Sequence, residues 1–188
     1  MKVNNKKIIN AWCMYDWSNS VYNLVITSTI FPVYYNSVTK AINDNEEIFF
    51  LGFEISNTVL YSYSLSFSFL LIALFSPLLS GIADYGGKKK AFMMFFTYLG
   101  GIACISLFFF RGENVEFGIM CSVLASIGYS GALVFYNAFL PEIASKEKSD
   151  MVSARGYAMG YIGSVILLII NLIMLGNPSL FGLADESQ

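Results

Sequence analysis

The chain has 188 residues, of which 56% are hydrophobic and only 13% charged, with a net charge of −2, three cysteines and no histidine. A soluble domain carries about a quarter charged residues, so this composition, with a mean hydropathy of +0.60, points to a chain that lives in lipid. The missing histidine and the unpaired spacing of Cys13, Cys104 and Cys121 argue against zinc fingers, haem attachment and Ser-His or Cys-His catalysis, and the lack of a continuous basic face argues against nucleic acid as a partner.

A bilayer core about 30 Å thick takes roughly 20 apolar residues per helix. Five uncharged windows of that length follow one another, at 17–35, 59–81, 91–110, 117–140 and 157–175. Only helices or closed barrels cross lipid, because every backbone amide needs an internal partner. The expected fold is therefore all-α, a polytopic bundle of about five membrane-spanning helices that fills residues 1–188.

The N-terminal lysines Lys2, Lys6 and Lys7 precede Trp12 and Trp17 without a short apolar core and a small-residue cleavage site, so no cleavable signal is expected and the first span stays in the product. Along that span Asp16, Ser20, Asn23, Thr27 and Tyr34 recur at spacings of 4, 3, 4 and 7, which puts them on one helical face. Pro32 removes one backbone bond near its outer end and is expected to bend it. In a transporter such a bend is a gate; in any polytopic protein it is also simple shape.

The second window opens with YSYSLSFSF at 61–69, whose serines alternate with period two. The unalternating LLIALF that follows makes the segment too long for a barrel strand of about ten residues, so a serine-rich helix is expected. The third window is almost pure hydrocarbon and suits a lipid-facing helix. The fourth carries Ser122, Ser126, Ser130 and Asn137, and the fifth Tyr157, Tyr161, Ser164 and Asn171. Polar stripes of this kind face neighbouring helices or a water-filled cavity. Single serines suit packing best, because they bond back to a carbonyl one turn earlier, and Gly156, Gly160 and Gly163 read first as a packing seam. For Asp16 with Asn23, packing and function stand about level.

Nine of the eleven cations, Lys2, Lys6, Lys7, Lys88, Lys89, Lys90, Lys146, Lys148 and Arg155, fall on one side of a five-span topology, with Lys40 and Arg111 opposite. The positive-inside rule puts the nine, and the N-terminus, in the cytoplasm. The outer segments hold the acids Asp44, Glu46, Glu47, Glu54, Glu113, Glu116, Asp185 and Glu186.

Between the second and third windows lies SGIADYGGKKK, 80–90. A phosphate-cradling loop needs G-x-x-x-x-G-K-[ST], and Gly87 stands where its lysine belongs. A tight turn between antiparallel spans fits better, with Gly86 and Gly87 free to adopt positive φ. Asp84 then lies at a helix terminus, within reach of a helix dipole or of an arginine such as Arg155.

Asp84, Gly87, Lys88 and Lys89 resemble the inner-loop signature of the major facilitator superfamily: a glycine, three residues, an aspartate, then a basic residue, a glycine and two more basic residues. Ser80 replaces the first glycine and Tyr85 the first basic residue. The stretches AWCMYDWSNSVYNLVITSTIFPVYY, IADYGGKKK, YNAFLPEIAS and SARGYAMGYIG resemble the branch of that superfamily formed by the vacuolar amino-acid effluxers of autophagy and their bacterial relatives. The resemblance covers nearly the whole chain. It implies twelve helices in two six-helix halves, of which this chain supplies part of the first, with the C-terminal half as its missing partner.

The expected function is secondary active transport of a small polar solute by alternating access, with amino acids as the class implied by the resemblance; the alternative is a membrane scaffold or assembly protein whose stripes only glue helices. The expected solute path is Asp16, Ser20, Asn23, Thr27, Ser126, Ser130, Asn137 and Tyr161. The expected conformational latch is Asp84, Gly87, Lys88, Lys89 and Arg155. No catalytic residue, metal site or cofactor is expected, and the expected partners are the solute and the lipid bilayer. The expected location is the bacterial cytoplasmic membrane.

Overall fold

A computed structural model of the protein describes residues 3–42, 47–50 and 52–182. The acids Asp44, Glu46, Asp185 and Glu186 and the cation Lys2 lie outside them. The first helix is continuous from α1 (Lys6–Val21) through a π-helical stretch (Tyr22–Ile30) into α2 (Phe31–Ile42). A short antiparallel hairpin of β1 (Glu47–Phe50) and β2 (Phe53–Ser56) follows, then α3 (Asn57–Tyr85), α4 (Lys89–Ser106), α5 (Val115–Ile143) and α6 (Ser149–Gly176).

Among the described residues, α3 to α6 are four helices long and apolar enough to cross a membrane. α3, α5 and α6 outrun their uncharged windows at both ends, because a helix continues into the headgroup region until a turn residue stops it, whereas α4 starts before its window and ends at Ser106, inside it. The remaining expected span is the divided first helix. The division accompanies a change of hydrogen-bond register. In π geometry an N–H bonds the carbonyl five residues back, and here the hydroxyls of Ser28 and Thr29 donate to the carbonyls of Asn23 and Leu24, also five back, at 2.9 and 2.6 Å. Pro32 has no N–H to offer the Thr27 carbonyl in that register. The Tyr61 hydroxyl of α3 donates to that carbonyl instead, at 3.1 Å, so a buried acceptor keeps a partner.

Two packing groups make the bundle. The first helix lies along α6, and α3 and α4 flank α5, which is the most enclosed helix, with 50% of its apolar window buried against 11–17% for the other three. Close approach relies on glycine. The backbones of Gly100 and Gly128 touch where α4 meets α5, and Gly131 faces the ring of Phe96. On its far side α4 exposes Tyr98, Ile102 and Ile105, the apolar surface that a lipid-facing helix needs, while Ala103 is buried. In α3 the hydroxyls of Ser62, Ser64, Ser66 and Ser68 each donate to the carbonyl four residues earlier, at 2.7–2.9 Å. The period-two serines therefore sit on a helix and satisfy themselves locally.

At the hairpin end of the bundle Phe31, Tyr35, Leu60, Tyr61 and Phe110 form an aromatic-rich core. The hairpin, which periodicity did not reveal, contributes Ile48 to it, only 3% exposed. At the opposite end Asn4 donates its backbone N–H to the Ile143 carbonyl at 2.8 Å and pairs its amide with Ser145, tying the chain's start to the α5–α6 turn.

Candidate functional site

The polar face of the first helix is pressed against α6. Trp12 stacks on Tyr136 of α5 with ring centroids 4.2 Å apart and donates its indole N–H to the Tyr136 carbonyl at 3.0 Å, closing the inner side. One turn further in sits Asp16, 4% exposed and the one buried acid among the described residues. Its carboxylate accepts the Ser20 hydroxyl at 2.9 Å, and the buried Tyr136 hydroxyl faces it outside hydrogen-bond geometry. Gly160 of α6 makes room: a methyl group there would lie 2.7 Å from the Ser20 oxygen and 3.3 Å from Asp16 Oδ2.

From Ser20 a cleft of about 410 Å³ opens between the first helix and α6. Ser20, Asn23, Leu24 and Ser28 line it from one side, Tyr157, Tyr161, Ser164 and Val165 from the other, and Tyr129 of α5 closes its floor. Ser20, Asn23 and Tyr161, three residues expected on the path, thus meet in one place. A second cavity, of about 290 Å³, lies on the opposite side of the first helix, where Asn19 and Tyr22 face Thr97, Gly100 and Cys104 of α4 and Gly128 of α5. Tyr129 borders both spaces, and its ring lies 5.1 Å from that of Tyr22.

Thr27 and Ser126 take a different position, with both hydroxyl oxygens buried and unbonded beside the Tyr22 hydroxyl, at the contact between the first helix and α5. Ser130 and Asn137 border neither cavity. The stripe on α5 is shared out because that helix touches α3, α4 and the first helix on different sides. Tyr129 was missed by sequence reasoning; its signal was its position one residue before Ser130, on the flank of the counted stripe.

At the end of the bundle that carries the chain's start, α3 ends in a Schellman turn. Gly87 adopts φ +60, the Lys88 N–H donates to the Ala83 carbonyl at 2.9 Å and the Gly87 N–H to the Asp84 carbonyl at 3.2 Å, the pairing such a cap requires. Only Gly87 of the two glycines has positive φ. The turn brings Lys89 back to Asp84 at 2.8 Å, and the same ammonium reaches Glu142 at the end of α5 at 2.6 Å. These carboxylates offset the unfavourable placing of a cation in the first turn of α4. Arg155 stands apart from Asp84, Gly87, Lys88 and Lys89: it lines a separate cleft with Lys6 and Lys148. A five-residue turn can fold Lys89 onto Asp84, whereas Arg155 belongs to the α1–α6 packing group. Among the described residues no three metal-ligating side chains gather.

The profile of the family described as "Vacuole effluxer Atg22 like" matches residues 4–181. The chain belongs to that family.

Atg22-like relatives include the Bacillus subtilis "Uncharacterized MFS-type transporter YxiO", 35% identical over 168 residues that cover 88% of this chain and 37% of the relative. "Autophagy-related protein 22" of Gibberella zeae is 29% identical over 62% of the chain and 18% of its own length. The protein of the same name from Coccidioides immitis is 21% identical over 82% of the chain and 31% of its own length. The chain thus spans between 18% and 37% of the length of these Atg22-like relatives. No solved structure matches. The helical transmembrane bundle is the one expected of such a multi-pass membrane family, and the match takes in both the polar first helix and the Schellman turn.

Proposed function

We propose that this chain is part of a secondary active transporter that moves a small polar solute by alternating access, and that the cleft between the first helix and α6 is its share of the solute path. The observation that carries this reading is the meeting of Ser20, Asn23, Tyr129, Tyr157, Tyr161 and Ser164 around one space, next to a buried carboxylate that Ser20 already engages. Polar groups within apolar helices are costly unless they face partners or water, and Asn23 and Tyr161 are exposed to this cleft. The π-helical stretch falls on the same part of the first helix; π turns widen a helix and recur at functional sites. Amino acids are the solute class that the family resemblance favours, and the cytoplasmic membrane, with the N-terminus inside, is the location that the cation distribution favours.

The test uses the full-length protein with single cysteines at 20, 23 and 161, compared with 25 and 103, which are buried apolar positions. The first set is expected to react with a small polar thiol reagent and to be protected by transported solute. Equal reactivity of the two sets, or no protection by any solute that the protein demonstrably moves, would leave helix packing as the only role of the stripe.

A further inference from the structure

We infer that the inner face carries a binding site for the phosphate group of an anionic phospholipid, in a cleft between the first turns of α1 and α6. The cleft measures about 500 Å³. Its two walls are matched helix faces. Lys6, Ile9 and Asn10 come from α1 at spacings of three and one, and Lys148, Met151, Val152 and Arg155 span two turns on one side of α6. Three cations therefore look into one space, no acid lines it, and among the described residues Lys6, Lys148 and Arg155 form no ion pair.

The floor explains why a lipid, and not merely an anion, suits the site. Ile9 and Val152 are 8% and 2% exposed and Met151 is 64% exposed, so an apolar surface runs from beneath the cations to the rim. Arg155 lies two residues before the uncharged window at 157–175, which sets the cleft at the depth where headgroup phosphates meet the hydrocarbon. The walls are held together: Asn4 is bonded to Ile143 and Ser145, and that clip keeps the start of α1 against the α5–α6 turn. Orientation by the positive-inside rule needs cations on this side, but it does not require three of them to share a cleft with an apolar floor.

The full-length protein, purified in a zwitterionic detergent, is titrated with short-chain phosphatidylglycerol, phosphatidylcholine of the same chain length, and inorganic phosphate, and binding is read by native mass spectrometry and by the shift in thermal unfolding. Phosphatidylglycerol is expected to bind, at least about tenfold more tightly than either of the others. A basic residue near an anionic lipid surface is worth about 1 kcal/mol, so Lys148→Gln with Arg155→Gln should raise the half-saturating concentration at least about tenfold. Lys7→Gln with Lys90→Gln, which removes the same charge from the same face outside the cleft, should change it less than about twofold. Lys6→Gln, on the opposite wall, supplies a milder single change expected to weaken binding several-fold. Equal weakening by the two double variants would reduce the effect to diffuse surface charge, phosphatidylcholine binding as tightly as phosphatidylglycerol would remove the role of the cations, and inorganic phosphate binding as tightly would remove the lipid; each result overturns the assignment.

Discussion

The indole of Trp17 occupies the volume that any side chain at Gly163 would need. The same seam continues inward, where Gly160 faces Ser20 and Asp16 and Gly156 faces Trp12, so the first helix and α6 meet through three bare Cα atoms. Small residues let membrane helices approach this closely, and the gain is packing and not hydrophobic burial. Gly163→Leu is expected to destabilise the full-length protein by about 1–3 kcal/mol through overpacking. Gly101→Leu, which meets nothing within 4 Å, should stay within about 0.5 kcal/mol, like other changes away from packed contacts. Denaturant unfolding in detergent measures both, and equal losses would show that the seam is not tight in solution.

Asp16 keeps its hydrogen bond to Ser20 when replaced by asparagine, so Asp16→Asn tests the charge and spares the shape. Insertion and abundance are expected to stay near wild type while transport by the full-length protein falls at least about tenfold, since an intramembrane acid marks function by default. Undiminished transport would assign Asp16 to packing alone.

The Lys89 ammonium joins the α3–α4 turn to the end of α5 through Asp84 and Glu142. Both acids are substantially exposed, at 56% and 44% of their side chains, and exposed pairs are worth about 0.2–1 kcal/mol. Asp84→Asn should therefore cost less than about 1 kcal/mol of stability. A loss of transport in that variant, with insertion intact, would identify the pair as a contact that one conformation makes and another breaks. Normal kinetics would leave the lysines as an orientation anchor.

The positive-inside rule predicts that the nine clustered cations lie on the cytoplasmic side. Single cysteines at Glu113 and Lys146, in a background without the native cysteines, are expected to react with a membrane-impermeant reagent from opposite sides. Reaction of both from outside would overturn the five-span arrangement.

That the chain folds as a bundle of long apolar helices was legible in the sequence, because bilayer thickness is a one-dimensional constraint and an uncharged run either is long enough or is not, whereas the helix ends, such as Lys6 and Ile42 of the first helix, lie well beyond the uncharged windows. The serine-rich α3 and the glycine seam of α6 were legible for the same kind of reason, since each depends on the residues of one helix. Asp84 and Gly87 were placed correctly at a turn, because the αL cap residue is encoded locally. The π-helical stretch was not legible: its carbonyl at Thr27 depends on a hydroxyl from Tyr61, 34 residues away. Nor was the hairpin, whose Ile48 is held by an aromatic core built from four other segments.

Which stripes face one another was decided by the tertiary structure alone. Asn23 and Tyr161 share a cleft with Tyr129, while Ser130 and Asn137, counted on the same grounds, do not join them. Lys89, not Arg155, became the partner of Asp84. Periodicity determines which side of a helix is polar, but the partner of that side depends on where two backbones come close enough to exclude side chains, and that is set by pairs such as Gly163 with Trp17 and Gly128 with Gly100. A contact between two helices at a common depth is a property of both together, and neither window contains it.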